Sequence, residues 1–160
     1  MTLKRSRNIL LAAGVALLVT ACASGPVRRV SDPAVSFQQV QVLANGNWTV
    51  DLRIQNYSSI PMRFDSVNLT MTVDGQDAAV IHQNIGMTVG PESPDIFKVN
   101  VVPTLAGKAA VADALARKSM LNYRLTGTIS AAPEKRGPQV FKYNGANSIT
   151  PAPGLPGVLR

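Results

Sequence analysis

The sequence predicts a mainly β protein, an antiparallel β-sandwich of about seven strands with one short helix. Several stretches alternate apolar and polar residues with a period of two, as half-buried antiparallel strands do. Turn-forming residues separate these stretches at short intervals, and one segment between them is rich in helix-forming residues. Short alternating strands joined by frequent turns are typical of two packed antiparallel sheets.

Residues 1–21 are predicted to be a signal peptide that is removed, so they take no part in the fold. The chain begins with the basic residues Lys4, Arg5 and Arg7, and an apolar run then extends from Ile9 to Val19. A basic region, an apolar region and small residues, in this order, are typical of a secretory signal. A membrane-spanning helix needs about 20 apolar residues, so this shorter run is not expected to be a permanent anchor.

The only cysteine of the chain, Cys22, follows this apolar run. The pattern Val19-Thr20-Ala21-Cys22 resembles the bacterial lipobox, in which a small residue precedes a cysteine that receives diacylglycerol. We therefore expect cleavage between Ala21 and Cys22, and attachment to membrane lipid through acylated Cys22. Stable attachment takes more than one acyl chain, and bacterial lipoproteins carry several. An ordinary signal peptide with a chance cysteine is the alternative.

The residue after the cysteine bears on location. Position 23 is Ala, whereas Asp is the usual residue for retention in the inner membrane under the enterobacterial sorting rules. By this resemblance, we expect a lipid-anchored protein of the bacterial envelope, at the outer membrane and facing the periplasm.

Composition excludes some classes of partner. The chain has 16 basic and 9 acidic residues, and residues 1–21 hold three of the basic ones, so the mature chain carries 13 against 9, a net charge of +4. The basic residues are scattered, without the basic stripe and aromatic platforms typical of nucleic-acid binding. We therefore predict no nucleic-acid partner. Once Cys22 is acylated, no thiol is left for a disulfide, so core packing must hold the domain together.

Three further segments follow the signal. Residues 22–34 are predicted to be a lipidated tether, because Pro26 and Pro33 exclude a regular helix there. Residues 35–150 form the predicted sandwich. Residues 151–160 are rich in proline and glycine, and we expect them to be a poorly ordered tail.

Strands are predicted along the whole sandwich. The clearest alternation lies in residues 47–55, 67–73, 97–101 and 121–130, and weaker strands are predicted at 35–43, 76–84 and 139–149. Val35 and Phe37 are out of phase with Val40 and Val42, which predicts a β-bulge in the first strand. The predicted core includes Trp48, Val50, Leu52, Ile54, Leu69, Met71, Phe97, Val99, Tyr123 and Leu125.

The single helix is predicted at about residues 107–119. Val111, Ala114 and Leu115 fall on one face, which predicts that this face packs on the sandwich. Asp113 and Arg117 are four residues apart, a spacing at which a helix brings opposite charges together.

The search for catalytic chemistry gives no candidate. The only histidine, His82, has no acidic or cysteine neighbour at metal-ligand spacing, and we interpret it as a surface residue. Asp74 and Asp77 lie in "VDGQD", whose composition indicates a hairpin turn. A dispersed Ser-His-Asp set stays open as an alternative, but no G-x-S-x-G motif is present. We predict a protein that is not an enzyme and that has no catalytic residue, metal or cofactor.

The middle of the chain carries a diffuse pattern that is shared with a known family. A strand ends at Asn56, "YSS" and Ile60-Pro61 follow, and a long strand then closes on the hairpin glycine Gly75. Farther on, the predicted helix precedes a strand with an aromatic-x-apolar-x-Gly pattern, here Tyr123, Leu125 and Gly127. Residues 35–150 are thus similar to the late embryogenesis abundant type 2 family, whose domain is also called the water stress and hypersensitive response (WHy) domain. The usual Asn-Pro-Asn of the family reads Asn-Tyr-Ser here.

The resemblance implies a fibronectin- or immunoglobulin-like sandwich with one helix, in agreement with the strand pattern. Elementary chemistry assigns structural roles to three of the residues concerned. The Asn56 side chain can turn the chain, Pro61 pre-sets φ before the next strand, and Gly75 supplies the positive φ of a tight hairpin.

The family is associated with protection during desiccation and other stress, and some members are bacterial envelope lipoproteins. The resemblance therefore implies a membrane-tethered, non-enzymatic protein with a role in desiccation or osmotic stress. The alternative is a binding or scaffolding module that engages an envelope protein partner through an edge strand or loops.

Overall fold

The computed structural model describes residues 28–160, which form eight strands and one helix. The predictions for the signal peptide, for Cys22 and for the first part of the tether lie outside these residues. The strands and the helix are β1 Ala34–Val42, β2 Trp48–Gln55, β3 Met62–Val73, β4 Gln76–Val89, β5 Pro94–Val101, α1 Leu105–Arg117, β6 Leu121–Pro133, β7 Gln139–Ile149 and β8 Val158–Leu159.

The strands form two antiparallel sheets of four strands each. Sheet A has the order β5-β2-β1-β8, and sheet B has the order β4-β3-β6-β7. All strand pairs within the two sheets are antiparallel. The predicted β-sandwich with one helix is confirmed, with eight strands instead of about seven because the end of the chain adds β8.

The core lies between the sheets, where the alternating apolar side chains of both sheets meet. Trp48, Leu52 and Leu69 are buried there, as the alternation predicts. Of the predicted core residues, Phe97 alone is only partly buried. It lies on β5, which is the edge strand of sheet A, so it has a neighbouring strand on one side only.

The predicted bulge in β1 is confirmed. The pairing of β1 with β2 shifts register between Phe37 and Gln39. The shift returns Val40 to the core side, so that Val35, Phe37 and Val40 are all buried although their spacing is not a multiple of two.

The helix begins at Leu105 and ends at Arg117, about two residues earlier than predicted. Thr104 is its N-cap, and the Thr104 hydroxyl accepts a hydrogen bond of 3.0 Å from the Gly107 N–H. The apolar pattern cannot locate this start because Leu105 is 87% exposed. Arg117 and Asp113 form the predicted ion pair, with 2.6 Å between Nε and Oδ1.

The expectation that the end of the chain is poorly ordered is wrong. Leu159 and Val158 pair with Val40 and Gln41 of β1, and Leu159 is fully buried. The Pro/Gly-rich segment before them is a turn, because Ala152 N–H donates to the Val158 carbonyl at 2.8 Å. The Pro/Gly-rich segment thus forms a tight turn that reverses the direction of the chain. The two apolar residues after it, Val158 and Leu159, complete the edge of sheet A.

Candidate functional site

The strand registers place the loops at two opposite ends of the sandwich. The Asn56 end consists of the loops 56–61, 90–93 and 134–138. These loops lie beside two residue pairs, Gln55 with Pro94 in sheet A and Met62 with Pro133 in sheet B. The helix end consists of α1 and the loops 43–47, 74–75, 102–104, 118–120 and 150–157.

Asn56 holds the Asn56 end together from inside. Its side chain is fully buried, and its amide nitrogen donates to the carbonyl oxygens of Ile60 at 2.9 Å, Gly90 at 2.8 Å and Val89 at 3.2 Å. Its Oδ1 accepts from the Ser58 N–H at 2.9 Å. One side chain thus turns its own loop and fastens it to the β4–β5 loop, which is the turning role that the sequence predicts.

The chain that precedes β1 is fastened to the same end. The Ser31 N–H donates to the buried Ser58 hydroxyl at 3.0 Å. Two hydrogen bonds join Arg29 to Ser59: the Arg29 N–H donates to the Ser59 side-chain Oγ at 2.8 Å, and the Ser59 N–H donates to the Arg29 carbonyl at 3.0 Å. The last part of the predicted tether is therefore part of the folded domain.

Ion pairs between exposed side chains reinforce this attachment. Arg29 lies 3.3 Å from Glu92 and also donates to the Tyr57 carbonyl at 3.2 Å. Arg28 lies 3.3 Å from Glu134 of the β6–β7 loop. Exposed pairs of this kind contribute little energy, so the hydrogen bonds of the Arg29 and Ser31 main chain to Ser58 and Ser59 determine where the segment lies.

Pro61 and Gly75 occupy the positions that the sequence predicts for them. Pro61 directly precedes β3, and its carbonyl accepts from the Glu134 N–H at 2.9 Å. Gly75 has φ 78° beside Asp74 at φ 51°, so these two residues form the tight turn between β3 and β4. The turn interpretation is thereby confirmed for Asp74, whereas Asp77 lies in β4, where it pairs with Thr72.

Tyr123 ties the two sheets together. Its hydroxyl accepts a 2.8 Å hydrogen bond from the Phe37 N–H, a donor at the β1 bulge. Its ring stacks on Phe37 with 4.6 Å between centroids. Burial raises the pKa of Tyr123 to about 12, although the Phe37 N–H acts in the opposite direction. Tyr123 is therefore protonated and structural at neutral pH.

Gly127 is required by close packing within sheet B. It pairs with Leu69 of β3, and a Cβ at position 127 would lie 2.0 Å from the Asn68 carbonyl oxygen. No side chain fits at that distance without a shift of the backbone. Tyr143 on β7 makes a second link between the sheets, because its hydroxyl donates to the Val35 carbonyl at 2.6 Å.

The outward face of sheet B carries an open depression at one end. On β3 and β6 it carries hydroxyl and amide side chains that the sequence predicts to point away from the core, among them Asn68, Thr70 and Thr72. At its helix end the face has an open depression of about 720 Å³. The depression is lined by Thr72, Asp74, Gly75, Asn122, Tyr123, Arg124, Ala146, Asn147 and Ser148.

His82 lies on β4 at the edge of this face. It is exposed, as predicted, and its Nδ1 contacts Oδ1 of Asn68 on the neighbouring strand. No cluster of three or more His, Cys, Asp or Glu side chains with the spacing of a metal site occurs within residues 28–160.

The helix end exposes large apolar side chains. Val102 and Leu105 flank the N-terminus of α1 and are 73% and 87% exposed, and Met120 follows its C-terminus and is also exposed. Leu155, in the loop before β8, is partly exposed at the same end. Apolar groups of this size, concentrated at one end, are typical of a contact surface.

A search for a membrane-spanning helix in the described part of the chain finds none of sufficient length and apolar character. Two features of the site escaped the sequence analysis. The attachment of residues 28–31 depends on partners about 30 residues away along the chain, as for Arg29 and Ser59. The exposure of large apolar side chains at the helix end depends on which side of α1 faces the sandwich.

The fold and its ends define a small two-sheet sandwich with one capping helix, and solved structures of this shape exist. The solution structure of AT1g01470 from Arabidopsis thaliana matches with a TM-score of 0.51 at 9% identity, over 82% of this chain and 88% of that protein. A crystal structure of a protein from Archaeoglobus fulgidus matches with a TM-score of 0.44 at 13% identity, over 78% of this chain and 98% of that one.

A third similar structure is that of the ApaA protein from Bordetella pertussis, with a TM-score of 0.45 at 15% identity, over 81% of this chain and 100% of that one. No protein-family model matches the chain, and the curated proteins give no significant match. At such identities the likeness shows the fold alone, and the Arabidopsis structure supports the two-sheet sandwich.

Proposed function

We propose that this chain is a non-enzymatic lipoprotein of the bacterial envelope, related to the late embryogenesis abundant type 2 (WHy) family, that protects cells during desiccation or osmotic stress. Acylated Cys22 would hold it in the membrane, most simply the outer membrane, with the sandwich in the periplasm. The proposal rests on the lipobox-like pattern, on the family resemblance of residues 35–150 and on the attachment of residues 28–31 to the sandwich.

The attachment of residues 28–31 is the observation that carries the tethered arrangement. Because Arg29 and Ser31 are fastened to the Asn56 end, only residues 22–27 separate the lipid from the folded domain. Six residues reach at most about 20 Å when fully extended. The Asn56 end would thus face the bilayer at short range, and the helix end would point away from it.

The family-pattern residues support a role for the fold rather than for a reaction. Asn56 joins loops, Gly75 makes a turn, and Tyr123 links the sheets. Asn56 and Tyr123 are engaged in the hydrogen bonds that hold the backbone in place, and Gly75 provides the backbone conformation of its turn. A protective role would therefore use a stable folded surface close to the membrane, since a chain with this core does not act as a disordered protein.

Lipidation is tested by labelling cells with palmitate. Wild-type protein should be labelled and should fractionate with the outer membrane, whereas Cys22→Ala should lose the label and accumulate as the uncleaved precursor. Label that survives Cys22→Ala would refute the anchor.

The stress role is tested by survival after drying or osmotic shock. A deletion strain should survive less well than its parent, and wild-type protein should restore survival. His82→Ala should restore it equally well, whereas Leu52→Asp, which places a charge in the core, should not. Equal survival of the deletion strain and its parent would refute a protective role.

A scaffolding module is the second candidate, favoured by the exposed apolar side chains at the helix end. Val102 and Leu105 are the most exposed of the large apolar residues in the described chain, and the proposed tether directs them away from the membrane. If an envelope protein docks there, Val102→Ser with Leu105→Ser should abolish its cross-linking to this chain and leave stability unchanged. A deletion strain that survives drying but loses an envelope complex would decide for scaffolding.

A further inference from the structure

The helix α1 packs tightly on sheet B and leaves a cleft beside sheet A. On the β4 side the two backbones are in contact, because a Cβ at position 107 would overlap the Ala78 carbonyl oxygen. On the other side, a cleft of about 210 Å³ lies between α1 and the ends of β1 and β2. Its walls include Val42 and Trp48 from the strands and Val111, Ala112 and Leu115 from the helix.

A second depression continues the cleft along the helix. It has a volume of about 710 Å³ and lies between the C-terminal part of α1 and the loop 150–157. Leu115 lines both, and the Val42 N–H donates to the Gly157 carbonyl at 2.9 Å, so the walls of the two are joined. Together they form the α1 groove, which runs from Lys108 to Lys118. Ten residues of helix correspond to a length of about 15 Å.

The walls of the α1 groove are apolar and offer little to a peptide backbone. Pro151, Pro153 and Pro156 have no N–H group, and the N–H groups of Ala152 and Leu155 already donate to carbonyls within the loop. A peptide brings N–H and C=O groups that need partners when they are buried. A hydrocarbon chain brings no such groups, so these walls favour a hydrocarbon chain.

The charged side chains that line the groove are all positive. They are Lys108 and Lys118, and neither forms an ion pair with any residue of the described range 28–160. Asp113, the acidic residue of α1, is already paired with Arg117. The half-buried Lys108 lies over Gly46, where its Cε is 3.5 Å from the position of a Cβ, so its stem closes one end of the groove. Lys118 is exposed at the other, open end, where a hydrated anionic headgroup can reach it.

A fatty acid matches the groove in length and in charge. The hydrocarbon core of a bilayer is about 30 Å thick and contains two acyl chains end to end, so one chain is about 15 Å long, like the groove. The cleft between α1 and the strands is narrow, which favours one chain over the two chains of a phospholipid. A carboxylate carries one negative charge, and Lys118 is the one cation at the open end.

We propose that the α1 groove binds a single fatty acid, with the end of its chain in the cleft against Trp48 and its carboxylate at Lys118. Burial of the chain supplies most of the affinity, and the lysine sets the orientation. Binding requires neither lipidation of Cys22 nor stress protection, so this inference stands or fails separately from the proposed function.

Trp48 makes the test local to the groove, because it is the only tryptophan of the chain. Bromine quenches tryptophan fluorescence on contact. A fatty acid brominated at the far end of its chain should therefore quench Trp48 of the full chain, held in phosphatidylcholine vesicles, in a saturable manner. The same acid brominated beside the carboxylate should quench less. A far-end-brominated alcohol of the same length, which lacks the charge, should bind more weakly than the acid.

The decisive variant is Ala112→Phe, which fills the cleft with a ring. Ala112 is exposed on α1, so the variant should fold, and it should weaken binding of the fatty acid about tenfold or more. Ala109→Phe is the matched control, because Ala109 is an exposed alanine of the same helix that does not line the groove. It should bind like wild type.

A second variant, Lys118→Glu, tests the headgroup contact. An exposed charge contributes modestly, so binding should weaken about three- to fivefold. Lys142→Glu, at an exposed position of β7, changes the net charge equally and should leave binding unchanged.

The proposal is overturned if the far-end-brominated acid leaves Trp48 unquenched, if bromine beside the carboxylate quenches more strongly, or if the alcohol binds as tightly as the acid. It is also overturned if Ala112→Phe or Lys118→Glu binds as tightly as wild type. Chemical cross-linking in the same vesicles tests a protein occupant. If two copies are cross-linked and Ala112→Phe abolishes the product while Ala109→Phe does not, the groove is an interface between copies and not a fatty-acid site.

Discussion

The two ends of the sandwich are closed by opposite means. At the Asn56 end, two buried polar residues, Asn56 and Ser58, fasten three segments of chain by hydrogen bonds. At the helix end, α1 covers the opening with the small apolar side chains of Val111 and Ala114. The polar end leaves few large apolar groups exposed, whereas the helix end leaves Leu105 almost fully exposed.

The difference shows what each type of closure can do. Hydrogen bonds are directional, so the Asn56 end fixes the path of the incoming chain in one geometry. Its cost is that every buried polar atom needs a partner, and the described residues contain no buried side-chain nitrogen or oxygen without one. Apolar packing has no such requirement, so no hydrogen-bond partner restricts the exposed residues at the helix end.

The largest effect is expected from Asn56→Ala. It leaves the Ile60 and Gly90 carbonyls and the Ser58 N–H without a partner inside the protein. We expect a loss of roughly 3–6 kcal/mol in the free energy of unfolding, measured in urea. Tyr57→Ala, next in sequence and 51% exposed, should change stability by less than about 0.5 kcal/mol. A loss below about 1 kcal/mol for Asn56→Ala would remove the distinction between the ends.

Alkaline pH tests the polar link inside the apolar core. The raised pKa of Tyr123 means that the native state keeps the proton while the unfolded chain releases it above about pH 10. Stability should therefore fall as pH rises from about 10 to 12, by roughly 3 kcal/mol in total.

Tyr123→Phe should remove this part of the pH dependence. At neutral pH it should cost about 1–2 kcal/mol, because the Phe37 N–H loses its acceptor. Urea melts of both proteins at pH 8 and pH 11 check the prediction. An equal loss of stability in both on going to pH 11 would show that Tyr123 is not the group responsible.

At the helix end, Val111→Ala removes apolar packing and leaves no polar group without a partner. We expect a loss of about 2 kcal/mol, which is smaller than the loss at Asn56. Leu105→Ala is the matched control on the same helix, and its side chain is exposed, so its effect should stay within about 0.5 kcal/mol. If Val111→Ala costs more than Asn56→Ala in urea melts, the ranking of the two ends is wrong.

Thr104→Ala tests the start of the helix. The substitution removes the hydroxyl that caps the Gly107 N–H and that donates to the Asp77 carbonyl at 2.8 Å. A loss of about 1 kcal/mol is expected in thermal or urea unfolding. Thr104→Ser keeps the hydroxyl and should recover most of it, so an equal loss in both variants would contradict a capping role.

The smallest effect is expected for Thr70→Ala, on the outward face of sheet B. Its hydroxyl has no structural role in the core, so stability should change by less than about 0.5 kcal/mol. Leu69→Ala, the buried neighbour, should cost about 2–5 kcal/mol. Similar losses at both positions would mean that the assignment of inward and outward faces in β3 is wrong.

The local pattern of the sequence determined most of the secondary structure and much of the core. Alternation identified the inward residues of β2 and β3, because side chains on a strand point to opposite faces in turn. The phase change between Phe37 and Val40 revealed the bulge, and "VDGQD" revealed the turn at Gly75. These are consequences of backbone geometry over a few residues, so nearby residues suffice to predict them.

Only the tertiary structure decided the rest. The hydrogen bonds between Arg29 and Ser59, the packing of Gly127 on Asn68 and the pairing of Leu159 with Val40 join residues far apart in sequence. Whether a Pro/Gly-rich segment is a poorly ordered tail or a tight turn depends on whether the strand after it can pair with an open edge of sheet A. The local composition carries no information about that. The sequence determined which face each residue takes, because that is a local property, and the fold decided which distant faces meet.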